Sequence, residues 1–291
     1  MADLGGGVAV ITGAGSGLGA AMADVFARAG LAVVALDLDA ERAAATEQAL
    51  RDQGFPTCSA RVDVADLDSL EVAAELTRST FDRCTVLCAN VGVQQFGALH
   101  RLSDQDWQWV LSVNVLGTVH TVNAFLPLLR ATAGPRHILL TASSAVFTPA
   151  ARLGAYAATK YAVVGYGEAL RLELETEGIG VSILFPSGMP TRHRESSAAA
   201  RPVALGPSVT RDDDIDAMLA SRDYDPRADT LAPELAVRTL LRDLGDNRRY
   251  IITHGDFREQ LVARGAELLD AYDRRSDAAP PDGPSGAKMP R

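Results

Sequence analysis

The sequence predicts an α/β fold, a doubly wound parallel sheet of about seven strands with helices on both faces. Three observations predict it. Short, continuously apolar runs rich in Val, Ile and Leu alternate with longer Ala-rich amphipathic stretches. A glycine-rich turn separates the first such run from the first amphipathic stretch. The chain has 291 residues, 47% of them hydrophobic, which suffices for one large core.

The elements follow in order. "VAVI" (8–11) reads as a strand buried on both sides, and the glycine-rich turn after it opens a helix to about residue 29. "AVVAL" (32–36) is the second strand, followed by a helix over 40–53. "TCSARV" (57–62) is the third, followed by a helix over 66–80. "TVLCA" (85–89), "HILLT" (137–141), "GVSILF" (180–185) and "YIIT" (250–253) complete the set, and a long amphipathic helix covers 154–175. Apolar strands separated by helices form a parallel sheet covered on both faces. No internal repeat or linker interrupts the pattern, so one domain is expected over 1–275. Residues 192–230 carry Pro, Ser, Arg and the acidic run "RDDDID" without strong periodicity; a substrate lid is expected over about 189–230. The Pro/Gly-rich residues 276–291 are expected to be disordered.

Charge and composition exclude several classes. A net charge of −9 argues against nucleic acid or an anionic membrane as partner. No stretch approaches 18 apolar residues free of charge, so no membrane span is expected, and "MADLGGGVAVITG" lacks the basic and apolar regions of a secretory signal. With three cysteines and no CxxC pair, a cytoplasmic setting is expected. Cys84 and Cys88 would make a metal pair on a helix. "TVLCAN" reads as a strand instead, so they are taken as buried thiols and no metal is expected.

The turn "TGAGSGLG" places Gly13, Gly15, Gly17 and Gly19 between a strand and a helix. Glycines let the backbone approach a pyrophosphate, and the helix N-terminus offers free N–H groups and a positive dipole end. The strand before and helix after it give the context of a dinucleotide site. Asp37 ends the second strand, where a carboxylate binds ribose hydroxyls and repels a 2′-phosphate. Asp39 is better placed to cap the next helix, leaving Asp37 for the ribose. No Arg or Lys directly follows Asp37, and Arg42 lies a turn further on, so NAD is expected over NADP. Asp63 follows the third strand and can reach the adenine edge or simply end the strand.

"GAYAATKYAVVGYGEALRLELE" puts Tyr156 and Lys160 four residues apart, on one helix face. A free phenol has a pKa near about 10 and is a poor base at neutral pH. A neighbouring ammonium favours its phenolate and equips the Tyr for proton transfer. "HILLTASSAVF" ends a strand with Ser143 and Ser144, at the sheet edge that faces the ligand crevice. Ser143 can hydrogen-bond a substrate oxygen or merely bond its own turn; Ser144 is its rival.

In combination these motifs, over about residues 5–255, resemble the short-chain dehydrogenases/reductases, a Rossmann-fold family. The glycine turn, Asp63-Val64, "ANVG", "SVNVLGT", Ser143, Tyr156 and Lys160 carry the resemblance. Ser143 is the serine with the family's 13-residue spacing to Tyr156. Two positions depart from the pattern: Val91 stands where Ala is usual, and Ser187 separates Pro186 from Gly188. The resemblance implies catalytic roles for Asn114, Ser143, Tyr156 and Lys160. It implies NAD contacts from Gly13, Ser16, Gly17, Leu18, Gly19, Asp37, Leu38, Asp63, Val64, Asn90, Gly92, Tyr156, Lys160, Pro186, Gly188 and Thr191. It implies a secondary alcohol or ketone as substrate, with Tyr156 as acid/base, Ser143 on the substrate oxygen, Lys160 on the ribose and Asn114 supporting a water path. It also implies a homo-oligomer, a dimer or tetramer. "RYIITHGDFREQLVARGAELLDAYD" and "TRHRESSAAARP" resemble a longer subgroup that includes aromatic secondary-alcohol dehydrogenases.

The substrate pocket is expected between residues 93–96, Val146, Phe147 and the lid, with few fixed charges, which suits an apolar or aromatic body. Arg192, His193 and Arg194 could meet an anionic substrate group; they are taken as a solvated lid face. A sugar-nucleotide epimerase would need a larger C-terminal domain than about 40 residues after the last strand. A nucleotide sensor without catalysis would be expected to have lost Ser143, Tyr156 or Lys160.

Overall fold

A computed structural model describes residues 6–208, 210–221 and 230–275. Seven strands form one sheet: β1 (Val8–Thr12), β2 (Ala32–Asp37), β3 (Thr57–Arg61), β4 (Val86–Ala89), β5 (Arg136–Thr141), β6 (Ile179–Phe185) and β7 (Tyr250–Ile252). Their order is β3-β2-β1-β4-β5-β6-β7, and every neighbouring pair is parallel. The chain moves outward from β1 to β3 and returns to lay β4 on the other side of β1. That reversal opens a crevice above the C-terminal ends of β1 and β4, where ligands bind in such sheets.

Side-chain alternation builds the two halves of the core. Val8 and Val10 of β1 join one cluster, Ala9 and Ile11 the other. On the first face lie α3 (Leu67–Phe81), α5 (Gly117–Ala131) and α6 (Gly154–Leu174), through Leu70, Phe125, Leu129 and Leu170. On the second lie α1 (Gly17–Arg28), α2 (Ala40–Arg51) and α10 (Leu240–Gly245), through Met22, Phe26, Leu50 and Leu240. The expected fold class therefore holds. Cys84 and Cys88 are fully buried in different clusters, on opposite faces. They do not form a pair, and burial pushes both thiols up.

Helix α4 (Asp104–Leu111) runs through a wide π turn, Ser112–Leu116, into α5. The run Asp104–Ala131 is 28 residues, long and apolar enough to cross a membrane, which the sequence reading did not expect. Within this fold its Val122, Phe125, Leu128 and Leu129 belong to the core beside Leu70 and Val163.

The segment read as lacking periodicity contains two helices, α7 (His193–Ala199) and α8 (Asp212–Ala220), followed by α9 (Pro233–Ala236). Ion pairs that the local pattern does not reveal hold them. Arg201, just after α7, meets Asp106 at 2.7 Å with both side chains almost fully buried. Asp214 of α8, 1% exposed, takes Arg101 at 2.8 Å and Arg152 at 3.4 Å. Burial opposes charge on Asp106, but hydrogen bonds from Ser103 and the Arg201 pair hold its carboxyl below the usual range. The part of the expected lid at 222–229 and the tail at 276–291 lie outside the described residues.

The chain divides into two compact units, Met1–Gly255 and Asp256–Arg291. In the second, α11 (Arg258–Arg274) is one amphipathic helix with Leu261, Leu268, Leu269 and Tyr272 exposed.

Candidate active site

A cavity of about 790 Å³ occupies the crevice. Gly13, Ser16, Gly17, Leu18 and Gly19 form one end with Asp37, Leu38, Asp63 and Val64; Asn90, Gly92, Ser143, Tyr156 and Lys160 form the other; Pro186, Gly188 and Thr191 edge it. Of the residues expected to act in catalysis or to hold the cofactor, Asn114 alone does not line this cavity.

At the glycine end the backbone is folded as tightly as the sequence requires. A Cβ on Gly19 would lie 2.0 Å from the Gly13 carbonyl oxygen, so no side chain fits there. Ser16 precedes α1 without capping it, which leaves its hydroxyl at the helix N-terminus beside free N–H groups. Asp39 caps α2 by accepting from the Glu41 and Arg42 N–H groups, as expected. Asp37 is more committed than expected: its carboxylate accepts from Gly15 N at 2.9 Å and from Asp39 N at 3.0 Å. A carboxylate has about four acceptor positions, so these bonds orient it and leave capacity for a ligand. Arg42 also lines the cavity, paired with Asp39 at 3.1 Å. Asp63 Oδ1 accepts from Ala65 N at 2.9 Å. Thr191 overhangs the turn above Gly17. These features fit a dinucleotide: open N–H groups, glycines at the close approach and a carboxylate at the end of β2.

At the other end, Tyr156 and Lys160 project from one face of α6 and are 5% and 2% exposed. The ammonium lies 5.7 Å from the Tyr156 ring centre and donates to the Thr141 carbonyl at 2.8 Å. Burial lowers the Lys160 pKa from 10.5 to about 8. A Cβ on Gly92 would stand 2.9 Å from this nitrogen, so Gly92 gives the ammonium its space. The ends of the three central strands are stapled around it. Asn90 Nδ2 donates to Thr12 O at 3.2 Å, and Thr141 Oγ1 donates to Asn90 Oδ1 at 3.1 Å.

Asn114 sits in the π turn, fully buried. Its amide donates to Val93 O and Thr159 Oγ1, both at 2.9 Å, and accepts from Val93 N at 2.7 Å. It thus holds the loop after β4 against α6. Ser143 Oγ accepts from Ala145 N at 3.1 Å, the local turn bond the sequence allowed, and its own proton is not used in that bond.

A family model described as short chain dehydrogenase matches residues 7–202. The chain belongs to the short chain dehydrogenase family. It is an oxidoreductase of that family, and its fold is one that binds a nicotinamide cofactor. It is 30% identical over 267 residues to the C alpha-dehydrogenase of Sphingobium sp. strain SYK-6, covering 91% of this chain and 86% of that protein. That match meets the expected kinship with a longer subgroup. D-threitol dehydrogenase of Mycolicibacterium smegmatis is 34% identical over 184 residues, 63% of this chain and 70% of its own. A short chain dehydrogenase/reductase from Burkholderia phymatum, solved in complex with NAD, superposes with a TM-score of 0.81 at 30% identity, covering 98% of this chain and all of that one.

The Tyr156 end of the cavity differs from expectation at Val146, Phe147 and the 192–194 run. Val146 and Phe147 do not line the cavity: Val146 is buried in the core, and Phe147 packs on Phe185 with ring centres 4.8 Å apart. The short 3₁₀ turn Ser144–Val146 directs them toward the sheet. Val93 and Phe96 from the expected loop and Met218 and Leu219 from the expected lid do line it, together with Trp109 and Leu153, which were not expected. His193 is not a solvated face residue. Its half-buried ring is bonded through Nε2 to the Gly92 carbonyl at 2.9 Å and lies edge-on to Tyr156 at 6.2 Å. Burial and Lys160 lower its pKa against the raising effect of the Gly92 bond. Arg194 also lines the cavity, whereas Arg192 pairs on the surface with Glu195.

Thr141 and Thr159 escaped the sequence reading. Thr141 carried a positional signal, as the last residue of a strand that points at the crevice; Thr159 is one step from Lys160.

Proposed function

We propose that this dehydrogenase interconverts a secondary alcohol and a ketone with NAD, with Tyr156 as general acid/base. The observation that carries the reading is the buried Tyr156–Lys160 pair in one wall of a cavity whose other end holds Asp37 and the glycine turn. A bound nicotinamide supplies the hydride acceptor in one direction and the donor in the other. Tyr156 takes the alcohol proton during oxidation and returns it during reduction. Ser143 donates its free proton to the substrate oxygen and orients it. Lys160 keeps one N–H on Thr141 and offers the others to the ribose hydroxyls, while its charge favours the phenolate. Asn114 fixes the Val93 loop and Thr159 beside this group, and it supports the water path by which Lys160 exchanges protons with solvent.

Asp37 supports NAD, because its charge repels a 2′-phosphate. Arg42 on the cavity wall favours a second reading, NADP; its pairing with Asp39 makes NAD the reading we adopt. Phe96, Trp109, Leu153 and Met218 suit an apolar or aromatic substrate body. The names of the two relatives, C alpha-dehydrogenase and D-threitol dehydrogenase, support the redox class of the reaction. The enzyme acts as a cytoplasmic dimer or tetramer on a small molecule, without nucleic acid, membrane or metal.

The test is a panel of aliphatic and benzylic secondary alcohols, and of the matching ketones, with NAD(H) or NADP(H), followed by the near-ultraviolet absorbance of reduced nicotinamide. Turnover with NAD(H) preferred is expected. Absence of turnover across the panel, or turnover with no net change in the nicotinamide, overturns the reading.

A further inference from the structure

Beside the main cavity lies a second one of about 210 Å³. The two share Gln94, Phe96, Trp109, Arg194 and Ser197, so a ligand at Tyr156 can extend from one into the other. Among the described residues, the side cavity is lined by three arginines, Arg194, Arg201 and Arg211, and by no carboxylate. In a chain of net charge −9 that concentration of positive charge stands out.

The three arginines are not equivalent. Arg201 is 6% exposed, ion-paired with Asp106 at 2.7 Å and stacked over Trp109 at 5.4 Å. It also donates to Gln95 Oε1 at 3.1 Å and to the Gly206 carbonyl at 3.0 Å. Its charge is answered and its place fixed; it is the floor. Arg194 and Arg211 are exposed, and among the described residues neither guanidinium pairs with a carboxylate. Arg192 and Arg194 lie two apart in sequence, and only Arg192 is neutralised, by Glu195. A cavity wall with two guanidinium groups that no described carboxylate answers is suited to a ligand that brings the acid.

We propose that the side cavity is an oxyanion subsite: the substrate carries a carboxylate or phosphate that Arg194 and Arg211 hold while its carbinol or ketone carbon lies at Tyr156. The proposal rests on the redox reading above and names its substrate class. Forked guanidinium groups recognise a planar carboxylate or a phosphate through paired N–H donors. Trp109 and Phe96, common to both cavities, would flank the apolar link between the two ends of such a substrate.

The experiment uses the full chain with NADH and aryl methyl ketones in matched sets, each bearing a carboxylate, a phosphate or a neutral carboxamide on tethers of increasing length. For at least one tether, kcat/KM for an anion is expected to exceed that for its carboxamide partner by about tenfold or more, as charge-assisted hydrogen bonds allow. The carboxylate and phosphate arms show which oxyanion is preferred. The advantage should shrink with added salt and collapse in Arg194→Gln/Arg211→Gln. Carboxamides that match or surpass both anions on every tether, or an anion advantage that survives in the double variant, overturn the proposal. If no ketone turns over, the redox reading falls and the subsite is judged by Trp109 fluorescence with the carboxylate probes, using Trp109→Phe to assign the signal. Saturable quenching that the double variant lacks supports the subsite, and its absence overturns it.

Discussion

Lys160 and Thr141 are joined by a 2.8 Å hydrogen bond from ammonium to backbone carbonyl, at the point where α6 crosses the end of β5. Thr141 in turn donates through its hydroxyl to Asn90 at 3.1 Å. The charge beside Tyr156 is therefore anchored to the backbone of the sheet, and its position depends on strand ends as well as on its helix.

Tyr156→Phe removes the proton donor and acceptor while keeping the ring. Turnover should fall by about a hundredfold to ten-thousandfold, the range for general acid–base catalysis. NADH binding, followed by fluorescence, should persist. Wild-type turnover in this variant would exclude Tyr156 as the acid/base.

Gly92→Ala tests the anchoring of the ammonium. The new methyl would stand 2.9 Å from Lys160 Nζ and push it from Thr141. A displacement of about 1 Å at a reacting group costs on the order of a hundredfold in rate. We expect that loss in kcat with little change in thermal stability, and steady-state kinetics with calorimetry will check both.

Asp37→Asn keeps an acceptor for the Gly15 N–H but removes the charge that rejects a 2′-phosphate. The ratio of kcat/KM for NAD over NADP should drop by about tenfold, the worth of one charge-assisted contact. Adding Arg42→Ala should restore part of the ratio by removing the nearest cation on that wall. An unchanged ratio in the single variant would remove Asp37 from cofactor selection.

His137 gives the fold an acid limit of its own. Its buried ring is bonded to Ser182 Oγ at 2.8 Å, and burial lowers its pKa from 6.5 to about 4. The ring stays neutral in the folded chain at pH values where the unfolded chain has already taken the proton. Stability should therefore fall as pH drops through the window from 6.5 to 4 and level off below it, by roughly 3 kcal/mol in total for this group. Urea unfolding across that range should show the slope, and His137→Gln should flatten it.

Much of this architecture was legible because it is repetitive. Val8–Thr12 and the turn after it announce a strand, a phosphate-sized gap and a helix, and the parallel order follows from repetition. Asp37, Tyr156 and Lys160 were legible because spacing alone puts them at strand end or on one helix face. What escaped depends on contacts distant in sequence. Nothing near His193 says that its ring will reach Gly92, 101 positions earlier, and Arg201 finds its acid at Asp106. Val146 and Phe147 were misplaced because a turn of three residues decides which way they face.

The π turn at Ser112–Leu116 gives one continuous rod two independent phases. Before it, Trp109 lines the cavity; after it, Phe125 and Leu129 face the core. Loss of a single residue there would rewind the turn to ordinary helix and leave both halves in phase. It would remove the wide turn that sets Asn114 against Val93 and Thr159, and with it the joint between the loop after β4 and α6. Insertions and deletions should be far less tolerated in those five positions than in the loops that flank the rod.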